Sequence, residues 1–300
     1  MKTVFAALAS LSIVGPLAAA EEKIVVSTFA TVLTEIVEKA GGERVEVAGH
    51  IKPGVDPHQF ELQPADLQIL ARAQLVLLSE KHMESYIDKL KESTGGKALF
   101  LEIGGADRSA WGKGKHGHRA DEKHAHEHHA DPHWWHSIAL MQKAVRTVAG
   151  ALGRISPSDA ALFSRNAEAY QASLAELLNW ARREIAALPR NKRKLVTSHD
   201  AFQFFAREHG FTIHAIEGFS SAEQASSKRV AEIIRLIKAE KVKAIFAEDF
   251  ENPKVLEEIV RQTGAKLGGT LYADGLGPGE ASTYEGMYRH NVMTIVAALR

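Results

Sequence analysis

One long helical run constrains this chain more than any other feature. Phe163, Ala167, Tyr170, Leu174, Leu177, Ala181, Ile185 and Leu188 recur at spacings of three and four, and Pro189 closes the series. Such spacing keeps an apolar stripe on one helix face. Ser156-Pro157-Ser158-Asp159 supplies the start, with a serine cap, proline at the first helical position and an early acid. Some thirty residues at 1.5 Å each predict a rod of about 45 Å, enough to cross a whole domain. A coiled-coil partner helix is the competing reading. The alanine-rich face and the pattern on either side favour a structural spine that divides the chain.

Before the rod, apolar β-like runs alternate with helical ones. Strands are expected at 23–29, 45–51, 75–78 and 98–103, with helices at 30–40, 65–73 and 83–90 between them and another at 136–152. After the rod the same grammar returns. Strands are expected at 195–198, 211–216, 242–247 and 265–271, and helices at 201–209, 223–240, 253–263 and 284–299. Strand–helix alternation with right-handed crossovers gives parallel sheets. The expected fold is therefore α/β: two similar lobes with parallel-sheet cores, residues 21–155 and 190–300, joined by one long rigid linker helix over 156–189. A cleft between lobes is the default place for a ligand.

The first twenty residues read as a secretory signal. Met1-Lys2 is a short positive start, Val4 to Leu17 is apolar, and Ala18-Ala19-Ala20 is a small-residue cleavage site before Glu21. The apolar run is too short for a membrane span. The chain holds no cysteine, which excludes disulfides, thiolate metal sites, a cysteine nucleophile and a lipid-anchoring cysteine. An exported, unanchored, disulfide-free chain fits a bacterial periplasm. Lys plus Arg and Asp plus Glu stand at 37 each, so no net field draws nucleic acid or an anionic membrane. A soluble monomer is expected, with its function in local sites.

One such site announces itself between Lys115 and Ser137. His116, His118, His124, His126, His128, His129, His133 and His136 are eight of the chain's fifteen histidines. Imidazole suits zinc, copper and nickel. A tract of it without apolar periodicity, centred on 114–130, reads as an exposed metal-collecting loop. Its tail, Asp131-Pro132-His133-Trp134-Trp135, is no longer low-complexity, so the loop leads into a site.

Open α/β sheets place ligands beyond the carboxyl ends of their strands. His58, in Pro53-Gly54-Val55-Asp56-Pro57-His58, and His133 hold such places before the rod, and His199 and Asp274 hold them after it. Four nitrogen and oxygen ligands suit a tetrahedral zinc ion. Glu217, Glu248 and Asp249 also lie at strand ends and are rivals. Asp56 and Asp131 have a simpler use in shaping Asp-Pro turns, and Asp274 before Gly275 in shaping another. Periodicity does not rank these candidates.

The motifs resemble those of the metal-binding proteins of bacterial ABC-type zinc and manganese importers, the cluster A-I solute-binding proteins. The resemblance rests on Pro53 to Glu61, Asp131 to Trp135, Ser198-His199-Asp200-Ala201-Phe202-Gln203-Phe204-Phe205, and Asp274-Gly275-Leu276 with Thr283 to Met287 and Asn291. Asp-Pro-His-Trp-Trp-His is similar to the zinc-specific AztC-type members. The resemblance implies two α/β lobes bridged by a rigid helix, with ligands at His58, His133, His199 and Asp274. Phe60 stands where tyrosine is usual and His136 where many relatives carry leucine. His133 and His136 would share a helix face, which leaves two imidazoles in view for one ligand position.

The resemblance also bears on the metal. Manganese-type relatives carry a carboxylate where this chain has His199. Three imidazoles and one carboxylate favour zinc over manganese by softness and by the Irving–Williams order. The expected function is to bind zinc and deliver it to an inner-membrane ABC permease. The histidine loop would assist capture, or receive zinc from a periplasmic donor protein. A manganese or iron carrier on the same fold is the alternative. A secreted zinc hydrolase, with Glu61 or Glu217 as base, is the reading from another class. Against it stand the fourth ligand, Asp274, which closes the site, and the lack of a His-Glu-x-x-His motif. No enzyme is expected.

Overall fold

The computed structural model describes residues 22–79, 86, 90–92, 94–104, 131–219, 225–248 and 253–300. The signal segment 1–20, the histidine tract 114–130, most of the helix expected at 83–90, and Asp249 lie outside the described residues.

Two four-stranded parallel sheets carry the fold. The first contains β1 (Ile24–Thr28), β2 (Val45–Gly49), β3 (Leu75–Leu78) and β4 (Leu99–Glu102), in the order β2-β1-β3-β4. The second contains β5 (Lys194–Thr197), β6 (Thr212–Ala215), β7 (Ala244–Glu248) and β8 (Lys266–Leu271), in the equivalent order β6-β5-β7-β8. In each sheet the first strand lies inside, and the chain winds away from it in both directions. Helices α1 (Thr31–Gly41) and α2 (Pro64–Leu70) belong to the first sheet, and α3 (Ile138–Ile155) follows it. The rod is α4 (Ala160–Ala186). The second sheet is wound with α5 (Gln203–His209), α6 (Ser227–Glu240) and α7 (Pro253–Thr263), and α8 (Tyr284–Leu299) closes the chain.

The central strands carry adjacent apolar residues, as in Leu75 to Leu78, because both faces of each sheet are covered. Along β1 and β3, Ile24, Val26, Leu75 and Leu77 enter one apolar cluster, while Val76 and Leu78 enter another with Phe29 and Leu70. Along β5 and β7, Leu195, Ala244 and Phe246 join the first of these clusters, while Val196 and Ile245 enter a third with Ile233 and Ile259. One face of each sheet thus meets a core shared by both lobes, and the other face meets a core of its own. Gly268 belongs to this packing, because a Cβ there would lie 2.5 Å from the Phe246 ring.

The rod runs through the shared core. Phe163, Leu174, Leu177 and Ile185 are buried in it, and α4 packs against α1, α3 and α8. Its 27 residues span about 40 Å, shorter than the sequence suggests, because 157–159 form a separate turn of 3-10 helix. Ser156 does not cap the helix as expected. Its hydroxyl donates to Asp159 Oδ2 at 2.8 Å, and Arg44 binds the same carboxylate at 2.9 Å.

Candidate metal centre

Two Asp-Pro-His segments present histidines by the same device. Asp56 Oδ1 accepts the His58 backbone N–H at 2.8 Å, and Asp131 Oδ1 accepts that of His133 at 3.0 Å. Each aspartate closes a turn onto the residue two positions later, and proline fixes the backbone between them. His58 lies in the turn Pro57–Gln59 beyond β2, and His133 lies beyond β4, just before the turn Trp134–His136. His199 follows β5, with its carbonyl accepting from Thr197 Oγ1 at 2.9 Å. Asp274 follows β8.

These four side chains meet between the sheets. One ligand atom from each of His58, His133, His199 and Asp274 lies within 4.8 Å of the others, a grouping able to hold a metal ion. Asp274 Oδ1 is the centre, 3.1 Å from His58 Nε2, 3.1 Å from His133 Nε2 and 3.4 Å from His199 Nε2. His133 and His199 are fully buried, Asp274 nearly so, and the His58 side chain is 8% exposed.

Carboxylates behind the imidazoles set their orientation. His133 Nδ1 bonds Asp131 Oδ1 at 2.9 Å, and His199 Nδ1 meets Glu248 Oε2 at the end of β7. With each Nδ1 so engaged, each Nε2 is left facing Asp274. Burial alone would lower the pKa of His133, but hydrogen bonds with Asp131 and Asp274 outweigh it and the net shift is upward. Burial likewise opposes charge on His199, and the Glu248 and Asp274 carboxylates override it, raising its pKa well above the usual value. Burial would raise Asp274, yet His199, His133 and His58 hold it well below the usual carboxylate range. The cluster favours positive charge, whether it arrives as protons or as a metal ion.

His136 stands apart from this group. It belongs to the 3-10 turn Trp134–His136 rather than to α3, whose cap is Ser137, so it shares no α-helical face with His133. Its Nε2–H donates to the Ala273 carbonyl at 2.8 Å, and its ring stacks on Phe202 with centroids 4.4 Å apart. Burial, with His133 beside it, lowers its pKa to about 3. Trp135 Nε1 donates to the same carbonyl at 3.0 Å. On the far side of Asp274, Leu276 N–H donates to Thr31 Oγ1 at 2.9 Å. Gly275 lies between them, where a Cβ would come within 2.5 Å of Thr31 Oγ1.

The rival acids take other places. Glu248 is the partner of His199 Nδ1, and the half-buried Glu217 is outside the ligand grouping. Glu61, the other base imagined for a hydrolase, is exposed. Asp131, read from sequence as a turn former, both closes its turn and orients His133. Its signal was its fixed offset of two residues from a histidine, shared with Asp56.

Two parallel-sheet lobes with three histidines and an aspartate gathered between them define a solute-binding protein for metal ions. Comparisons with known proteins give the family. Residues 24–298 match the ZnuA family, described as zinc-uptake complex component A, periplasmic. The manganese-binding lipoprotein MntA of Bacillus subtilis is 32% identical, covering 94% of this chain and 91% of that protein. The zinc-binding protein TroA of Treponema pallidum is 31% identical over the same shares, 94% and 91%. A solved structure of periplasmic TroA superposes with a TM-score of 0.81 at 29% identity, covering 93% of this chain and 99% of that one. The chain belongs to the ZnuA family of periplasmic metal-binding proteins, the metal-binding components of ABC importers and not enzymes. No helix among the described residues is long and apolar enough to cross a membrane.

Proposed function

We propose that this protein binds zinc in the periplasm, through His58, His133, His199 and Asp274, and delivers it to an inner-membrane ABC permease. The observation that carries the reading is the donor set: three imidazole nitrogens and one carboxylate with their ligand atoms within 4.8 Å. Three nitrogens favour zinc over manganese, and four protein ligands leave no open position of the kind a catalytic zinc keeps for water. The carboxylates on His133 and His199 add basicity to two of the imidazoles. In this reading residues 21–155 and 190–300 are the two lobes about the linker 156–189, and Asp274 and His199 bring the second lobe to the ion.

A manganese carrier is the second reading, favoured by the identity with manganese-binding MntA. A competition titration on metal-stripped protein separates the two. Zinc binding at one tight site per chain, lost in His199→Ala and Asp274→Ala and unmoved by excess manganese, supports the zinc reading. Manganese displacing zinc at equal concentration overturns it. The histidine tract 114–130 is proposed to capture zinc, or to receive it from a periplasmic donor protein. Deleting 114–129 tests that role. Unchanged uptake at low zinc, with unchanged transfer from a donor, removes it.

A further inference from the structure

We infer that His136 is a positioning residue for Asp274, donating a hydrogen bond that fixes the Ala273 carbonyl and taking no place as a ligand. The inference rests on the metal-site reading and deepens it. Asp274 is the hub of the grouping, so a shift in its backbone changes its separation from three imidazoles at once. That backbone is gripped immediately before Asp274 by two donors on one carbonyl, Trp135 Nε1 at 3.0 Å and His136 Nε2 at 2.8 Å. Both donors belong to the single turn that begins at the ligand His133. The turn therefore acts as a gauge: it sets the distance between His133, which it carries, and Asp274, whose neighbour it holds. His136 is 1% exposed and stacked on Phe202, so its Nε2–H has a fixed direction. An Nε2 that donates to a carbonyl has no lone pair for a metal, and His136 is not among the residues whose ligand atoms gather within 4.8 Å of one another.

His136→Leu removes the donor and keeps an apolar side chain of similar size, while His136→Gln restores an N–H at the corresponding reach. The test measures zinc affinity of both variants by chelator competition, records the visible absorption of bound cobalt, and carries Asp274→Ala alongside. Groups that orient ligands commonly change metal affinity by about 10–100-fold. The expected result is a loss of that order in His136→Leu with shifted cobalt bands, and recovery to within about threefold in His136→Gln. Wild-type affinity in His136→Leu overturns the inference. So does equal weakening of both variants, since that makes the imidazole itself a ligand if the cobalt bands move, or a packing group only if they do not. If Asp274→Ala binds as wild type does, the metal-site reading fails instead, and the two failures are told apart.

Discussion

His209 is buried at the end of α5, where its Nε2 lies 2.7 Å from the Tyr288 hydroxyl oxygen. Burial, reinforced by the Arg182 and Arg193 charges, lowers its pKa to about 4. In the unfolded chain the value returns to about 6.5. The folded pKa is the depressed one, so the stability this neutral imidazole contributes is fully present above about 6.5 and is lost as pH falls toward 4. At pH 5 the unfolded state is about 97% protonated and the folded state about 9%, which amounts to about 2 kcal/mol of lost stability. His209 is 6% exposed, so solvent screening takes little from that figure. The perturbation is His209→Gln, which keeps a donor toward Tyr288 and does not titrate. Thermal melts of metal-stripped wild type and variant at pH 7.5 and pH 5.0 give the difference of differences, in which the titration of every other group cancels. At about 2 °C per kcal/mol for a chain of this size, the variant loses about 4 °C less than wild type on acidification. Parallel pH profiles for the two proteins would refute the reasoning.

On the zinc reading, the carboxylates behind the imidazoles take a measurable share in binding. Glu248→Gln and Asp131→Asn each lower zinc affinity by about 10–100-fold in chelator competition; an unchanged constant in both removes their orienting role. His199→Asp makes the donor set two nitrogens and two carboxylates, so the ratio of zinc to manganese affinity falls, by at least tenfold in direct competition. Glu208, in α5, accepts the Ile138 N–H at 2.9 Å, the Ala139 N–H at 3.3 Å and the Ser137 hydroxyl at 3.2 Å at the start of α3. Glu208→Ala leaves those donors without it at a helix N-terminus and costs about 2 kcal/mol, read as a fall in melting temperature of about 4 °C. A shift under about 1 °C contradicts that.

Most elements were legible in the sequence because the signals that specify them are local. The rod shows in the three-and-four spacing from Phe163 to Leu188, and the buried strands in runs such as Leu75 to Leu78. What escaped depended on neighbours far along the chain. Ser156 looked like a cap until Arg44, 115 residues from Asp159, was seen to share that carboxylate. The helix expected from His136 begins two residues later, where Glu208, 70 residues on, accepts the Ile138 N–H, while Trp134 to His136 form a tighter turn. Strand-end position identified His58, His133, His199 and Asp274 as candidates but left Glu248 beside them as an equal. Sheet order separates their places: β7 pairs with β5, which sets Glu248 behind His199, whereas Asp274 leaves β8 at the sheet edge and reaches the other lobe. Nothing in a linear sequence states that order. Thr31 carried no signal beyond its apolar surroundings, and Trp135 stood out as part of a motif without its bond to Ala273 being readable.

The bonds around Asp274 also constrain how the centre can change when metal enters. Asp274 belongs to the second half of the chain, yet Thr31, Trp135 and His136 from the first half hold the residues flanking it. The turn that carries His133 is itself tied to α8, with Tyr284 donating to the Trp135 carbonyl at 2.6 Å. Tyr284 N–H in turn donates to Glu35 of α1 at 2.6 Å, and Glu35 also accepts from Tyr170 of the rod at 2.8 Å. Parting His133 from Asp274 therefore breaks several buried hydrogen bonds together, each left open at a cost of about 1–3 kcal/mol. An exchange that keeps them moves His58 or His199 against a fixed His133–Asp274 pair. In that case the Leu276 amide, buried and bonded to Thr31, is protected from hydrogen exchange equally with and without zinc. Loss of its protection on metal removal would show that the pair itself opens.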